Sequence, residues 1–173
     1  LAGIVSVASV GGIRADLAPG RLVAPDQIID YTWGRKQTFF EGTDKPVTHI
    51  DFTQPFNQPL REMILSAASG MDEPVLDGGI YACTQGPRLE TAAEINRIEN
   101  DGGHMVGMTG MPEASLAREL DIPYAMLAVV SNWAAGRQDS AREIHLDAAS
   151  AAFEVAMKKV HKILECMSGV CAV

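Results

Sequence analysis

Three short stretches of this 173-residue chain carry side chains with more hydrogen-bonding or contact capacity than a turn requires. TQGPRLETAAE (84–94) follows an apolar run, turns at Gly86-Pro87 and sets Glu90 just ahead of a helix start. A carboxylate there either complements the helix dipole or accepts a hydrogen bond from a ligand N–H. VVSNWAAG (129–136) ends an apolar run on Asn132, with Trp133 beside it. That amide either makes a turn or grips a heterocycle edge with its paired donor and acceptor. In GMTGMPE (107–113), Met108 either fills core or lies flat against a ring. Thr109 and nearby backbone N–H groups either cap the helix that Pro112 opens or hold an anion. His145 falls in the first turn of an expected last helix and could face the same site, whereas His49, His104 and His161 read as ordinary solvated or packed histidines. Residue by residue, both readings stand.

The elements that must position these groups follow from periodicity. Ile4 to Val10 reads as a buried parallel strand ending at Gly11-Gly12. LVAPDQIIDYT (22–32), GGIYACTQ (78–85), HMVGM (104–108) and PYAMLAVVSN (123–132) are further extended runs. Residues 33–59 are polar and aromatic without a clean period, and are expected to form a functional loop with short strand pieces. Helices are expected over 57–69, with Pro59 in the first turn, over 91–100, and from Pro112. The second carries a capping box, Thr91 with Glu94. A second box, SARE (140–143), is expected to open a long last helix with Ala148, Ala152, Val155 or Ala156, Val160, Ile163 and Leu164 inward. Strands alternating with helices predict an α/β fold. In open sheets of that class, ligands sit beyond the carboxyl ends of strands, so ASVGG, TQGPRLET, MTGMPE and SNWAAG are expected to converge.

Composition narrows the chemistry. The net charge of −8 argues against a phosphate-backbone footprint for nucleic acid. An anionic small substrate would need a local site rich in amides or cations. The three cysteines show no C-x-x-C pair and no metal-ligand spacing, so no metal is expected. No apolar run reaches the ~18 residues of a membrane span, and the expected setting is a reducing cytoplasm. There is no G-x-S-x-G, no G-x-G-x-x-G after a strand and no G-K-[ST], which argues against hydrolase, Rossmann and P-loop chemistry. The chain opens without Met inside an apolar β-branched run, and an amino-terminal part is expected to be missing from it.

GPRLETAAE, GMTGMPEA and SNWAAG, with VGGIRADLAPGRLVAPDQIIDYT and RKQTFFEG in the same order, resemble the trimeric purine nucleoside and methylthioadenosine phosphorylases across essentially the whole chain. The resemblance implies a nucleoside-phosphorylase-like α/β fold: one domain over 1–173, a central mixed sheet flanked by helices, lacking the family's amino-terminal strands and their phosphate-binding turn and Arg-His pair. It implies cleavage of an N-glycosidic bond by inorganic phosphate as co-substrate, without metal or organic cofactor, in a homotrimer. Carried over by position, Glu90 binds purine N1–H and Asn132 contacts N7 and the 6-substituent, as the two catalytic groups. Leu89, Val10 and Gly11 lie against the base, Met108 under the ribose, Ser9 and Thr109 at phosphate, and His145 near the 5′ substituent. Ala8 stands where the family often has Asn or Thr.

Methylthioadenosine phosphorylases carry Asp at the position of Asn132 and lack the Glu of Glu90. A carboxylate wants an N–H at N1, which hypoxanthine and guanine have and adenine lacks. The wording of these motifs is most similar to bacterial S-methyl-5′-thioinosine phosphorylases, so the expected substrate is a 6-oxopurine nucleoside, methylthioinosine first, inosine or guanosine second. Leu146 is a candidate for the methylthio contact. The rival readings are a methylthioadenosine phosphorylase, a nucleosidase that uses water and a purine-binding family member without turnover.

Overall fold

The computed structural model describes residues 2–43, 46–71, 74–144 and 150–169. The strands are β1 (Ile4–Gly12), β2 (Leu22–Ala24), β3 (Gln27–Asp30), β4 (Leu76–Asp77), β5 (Ile80–Cys83), β6 (Met105–Gly107) and β7 (Tyr124–Trp133). The helices are α1 (Gln58–Ala67), α2 (Ala92–Asn100), α3 (Gly110–Glu119) and α4 (Ser150–Met167). The strands form one seven-stranded mixed sheet in the order β3-β5-β6-β1-β7-β2-β4. β1 and β7 run parallel to each other and antiparallel to their outer neighbours β6 and β2. The α/β class and the mixed sheet flanked by helices are as expected.

β7 explains why its sequence reads as unbroken apolar. Successive side chains of a strand point to opposite faces. Tyr124, Met126, Ala128 and Val130 enter one core with Met111, Ala114 and Ala117 of α3. Ala125, Leu127 and Val129 enter a second with Ile64 of α1 and Ala156, Val160 and Ile163 of α4. Both faces are covered from Tyr124 to Val130, so those positions carry no charge and all are buried. Ile64 and Ile163 are fully buried, each contributing about 1.5–3 kcal/mol of burial. That anchoring matters for α1, whose 10 residues are too few for a stable isolated helix. α2 lays Ile95 and Ile98 on Ala82 and Val106.

Several expectations need correction. β1 is not buried throughout: Val7 is 39% exposed and Ser9 is exposed. β6 pairs with it only at Gly11 and Gly12, so on that side Ile4 to Val10 has no strand beside it among the described residues, while β7 runs along the other side. The run 22–32 is two strands, divided where Pro25 has no N–H to give and Asp26 instead bonds the Gly79 amide at 2.7 Å. The segment after Trp33 holds no strand piece among its described residues. Its backbone is bonded partly by local side chains, with Thr38 Oγ1 accepting from Phe40 N and Asp51 Oδ1 from Thr53 N, and partly by distant ones, with Glu119 accepting from Phe39 N. SARE does not open the last helix: Ser140 closes a 3₁₀ turn over Gln138–Ser140, and residues 141–144 are not helical. Within α4, Ala156, Val160 and Ile163 are buried as expected, but Ala152 is exposed; Ala148 lies outside the described residues.

Arg61 shows what holds α1 to the sheet edge. It is only 4% exposed. Its guanidinium donates to the carbonyls of Pro25 and Ala24, each at 2.9 Å, and to Asp77. These carbonyls flank the break between β2 and β3. Arg61→Ala removes the guanidinium from the Pro25 carbonyl and from the Ala24 carbonyl, which keeps only the Gly78 amide, while Asp77, mostly exposed, rehydrates. The expected cost is about 2–3 kcal/mol, read from the urea midpoint at unchanged m-value.

Candidate functional site

Tyr81 is fully buried beneath the turn that links β6 to α3. Its hydroxyl accepts the backbone N–H of Thr109 at 3.1 Å and of Gly110 at 3.3 Å. The next amide, Met111, points to Cys83 Sγ at 3.3 Å, and burial raises that thiol's pKa. These three N–H groups are therefore spent inside the protein rather than gathered for an anion, as the sequence had suggested. Gly110 serves this packing: a Cβ there would meet Tyr81 Cε1 at 2.8 Å. Its role is room above the ring, not an unusual turn. Met111 keeps extended angles (φ −117°, ψ 138°), so the regular helix runs from Pro112. Thr109 makes no side-chain cap, which leaves its hydroxyl for another use.

The loop after β5 is set by two neighbours. Thr84 Oγ1 donates to Glu90 Oε1 at 2.6 Å, while Glu90 Oε2 has no hydrogen-bond partner among the described residues. Glu90 itself does not cap α2. That role falls to Thr91 and Glu94, whose reciprocal bonds form the expected capping box. Gly86 is at φ +62°, and a Cβ on it would collide with Met108 Sδ, so the methionine lies directly over this turn. Arg35 reaches both loops from the far side, bonding Thr84, Gln85, Met108 and Met111. A pocket of about 410 Å³ opens beside them, within the usual range for small-molecule sites. Tyr31, Trp33, Thr84, Gly86, Glu90 and Ile98 help line it. Burial and a bond to Asp101 push the Tyr31 hydroxyl's pKa up to about 12.

Asn132 lies three strands away. Ala82, Val106, Gly11 and Asn132 occupy one row across β5, β6, β1 and β7. Asn132 Oδ1 accepts from Ser131 Oγ at 2.7 Å and Nδ2 donates to the Trp133 carbonyl at 2.8 Å. These bonds fix which end of the amide donates. One N–H and one lone pair remain. The sheet is mixed, so the four stretches do not share one carboxyl edge: β1 and β7 run one way and β5 and β6 the other, and the stretches meet near mid-sheet.

The remaining candidates are placed as follows. Ser9 is exposed on β1. Val10 is 2% exposed and faces core, and a Cβ on Gly11 would meet Val106 Cγ1 at 3.2 Å. Any contact from these two to a base would run through backbone. Leu89 is 41% exposed and does not line the pocket, and neither do Ser9, Met108, Thr109 and Asn132. His145 and Leu146 lie outside the described residues. Sequence reasoning missed Thr84, Tyr81 and Arg35. The alternation of Tyr81 with the small Ala82 hinted at one packed face, but nothing distinguished Arg35 from the exposed Lys36. Among the described residues no group of His, Cys, Asp and Glu could hold a metal, and no helix is long and apolar enough to cross a membrane.

Comparison with known proteins gives this geometry a family. Residues 2–167 match the phosphorylase superfamily. A probable S-methyl-5′-thioinosine phosphorylase of Xylella fastidiosa (strain Temecula1) is 52% identical over 138 residues, 80% of this chain and 56% of that protein. The 6-oxopurine nucleoside phosphorylase of Pyrococcus furiosus is 45% identical over 138 residues, 77% of this chain and 52% of its own. The methylthioadenosine phosphorylase of Schistosoma mansoni, solved with adenine, superposes with TM-score 0.87 at 28% identity, over 98% of this chain and 65% of that one. The chain thus spans about half the length of the curated relatives it matches.

Two measurements check this geometry. Tyr81→Phe leaves the amides of Thr109 and Gly110 without their acceptor; it should cost about 1–3 kcal/mol and speed hydrogen exchange at those two amides. Glu94 is held down to about 2 by Arg88, which bonds both its oxygens at 2.7 and 2.8 Å, and by the Thr91 amide. A depressed carboxylate supports the fold above its ordinary value of 4.5 and loses that support as pH falls toward 2. Carboxyl-carbon NMR should find the Glu94 midpoint near 2, and Arg88→Gln should move it up toward 4.5.

Proposed function

The chain belongs to the phosphorylase superfamily, and on that premise we propose that it acts in phosphorolysis of 6-oxopurine nucleosides, S-methyl-5′-thioinosine first among them. The observation that carries this reading is Glu90: a carboxylate at the pocket rim, oriented by Thr84 and with one oxygen unpartnered. An ionised carboxylate only accepts hydrogen bonds. It pairs with N1–H of hypoxanthine and opposes N1 of adenine, which has no hydrogen. Sites built for such a bond discriminate by ~10⁴-fold or more against a partner that cannot make it. Asn132 supports the same choice, with a remaining N–H for the 6-oxygen and a lone pair for a protonated N7. The names of the relatives at 45–52% identity point the same way.

In this scheme a phosphate oxygen forms a bond to C1′ as the C1′–N9 bond breaks, and the bonding pair leaves with the base. The products are hypoxanthine and a 1-phosphorylated ribose, methylthio-substituted when methylthioinosine is used. Glu90 and Asn132 act by stabilising the departing base more than the bound nucleoside. Met108, over Gly86, is the proposed platform for the sugar. The uncapped Thr109 hydroxyl and Ser9 are the proposed phosphate contacts, with no organic cofactor or metal required. His145 is the proposed neighbour of the 5′ substituent, and a homotrimer the proposed assembly. The adenine-bound Schistosoma structures favour a second reading, methylthioadenosine phosphorolysis, against which Glu90 stands.

The test is release of free base from methylthioinosine, inosine and methylthioadenosine with and without phosphate. Release only with phosphate, fastest from methylthioinosine, is expected. Glu90→Ala should lower kcat/KM for methylthioinosine by about 10–100-fold, the worth of a bond to a charged group. Preference for methylthioadenosine would overturn the 6-oxopurine assignment, phosphate-independent release would favour a nucleosidase, and base binding without turnover would leave a binding protein.

A further inference from the structure

Arg35 comes from the irregular segment after β3, yet its guanidinium is surrounded by the backbone of two other segments. Nη1 donates to the Met108 carbonyl at 2.8 Å and to the Met111 carbonyl. Nη2 donates to the carbonyls of Thr84 at 3.2 Å and Gln85 at 2.9 Å. Nε donates to Gln85 Oε1 at 3.3 Å, and the same oxygen takes the Trp33 amide at 3.1 Å. Every acceptor is a neutral oxygen; three are carbonyls just past the ends of β5 and β6, and the fourth carbonyl, that of Met111, stands where the chain turns into α3. The planar fork has five N–H donors in fixed directions. It reaches both loops at once, one nitrogen to each.

We propose that Arg35 is a positioning residue for the base and ribose sites: one guanidinium sets the Thr84–Glu90 loop at a fixed distance from the Met108–Met111 turn. The Thr84 carbonyl is held by Arg35 while the Thr84 hydroxyl holds Glu90. The Met108 carbonyl is held by the other nitrogen of the fork while the Met108 side chain lies over Gly86. The carboxylate proposed to read the base and the thioether proposed to carry the sugar are thus both referred to the same group, which does not itself line the pocket. Trp33, the neighbour through Gln85, is carried to the pocket wall by the same network. The part played in substrate binding rests on the purine reading above; the tie between the loops does not.

A merely structural arginine would be replaced by any residue that keeps the fold. A positioning fork requires the guanidinium shape. The test uses the purified protein with Arg35→Ala and Arg35→Lys, read in two ways. Hydrogen exchange reports the tie: residues 84–90 and 108–111 should both exchange at least tenfold faster in Arg35→Ala, and millimolar guanidinium should restore protection where equal ammonium does not. Tryptophan fluorescence titrated with hypoxanthine reports the consequence, and needs no turnover. Arg35→Ala should weaken binding about 10–100-fold, guanidinium should bring it back to within about threefold, and Arg35→Lys, which keeps charge without the fork, should stay at least tenfold weak. If Arg35→Ala does not fold, Arg35→Lys carries both readouts. Unchanged exchange in either loop, wild-type hypoxanthine affinity in Arg35→Lys, or equal rescue by ammonium would overturn the proposal. If the wild-type protein binds no hypoxanthine, the purine reading fails together with Arg35's part in base binding, while the exchange data still decide the tie.

Discussion

The site depends on one buried hydroxyl. Leaving β6, the chain must reverse into α3 over the top of the sheet, and the first amides of that turn face inward, away from water. Unpaired, each would cost about 1–3 kcal/mol. Tyr81 meets two of them and Cys83 a third. This satisfies the backbone without drawing on the Thr109 side chain. It also fixes residue size above the ring, which is why glycine stands at 110. The apolar core below and the polar site above therefore share a wall, and Tyr81 belongs to both.

That wall explains how modest residues become a site. Glu90, Met108, Thr109 and Asn132 each have an ordinary structural use, and in three of the four the structure assigns that use elsewhere. Thr91 and Glu94 cap α2, Tyr81 receives the amides ahead of α3, and Met108 lies over a turn rather than deep in the core. Asn132 is the mixed case. It is bonded locally at both ends of its amide, and those bonds orient what remains. A side chain held by one part of its hydrogen-bonding capacity offers the rest without an entropic penalty on binding.

Much of this was legible in the residues because the signals were local. The capping box at Thr91 works through contacts within four residues, and β7 announces its double burial from Tyr124 to Val130. The reading failed where the deciding contact was distant. SARE has the letters of a helix start, but residues 141–144 are not helical. LVAPDQIIDYT looks like one strand until Asp26 is seen to bond Gly79. Ile4 to Val10 has the composition of a buried strand, yet only one face is covered at its end: Ala8 and Val10 are buried while Val7 and Ser9, on the other face, are exposed. Arg35 and Arg61 were invisible for the same reason: their partners are carbonyls, which every residue has, so no second letter in the sequence marks the pair. Order of motifs carried the family because it sums many weak local signals.

β1 and β7 advance together, one residue against one, from Ile4 to Val10 and then fall out of step: Val10 faces Val130, but Gly11 faces Asn132. Ser131 is the uncounted residue, and everything beyond it is addressed by arithmetic rather than by chemistry. Had the two strands kept pace, Ser131 would stand opposite Gly11 and the amide would be carried one rung onward to Gly12. Because alternate rungs look to opposite sides of a sheet, it would then face away from where it now stands. Substitutions near this point change a contact; an insertion or deletion of one residue changes the sidedness of the strand end. In this fold, length between Val130 and Asn132 is as much a part of the specification as the asparagine itself.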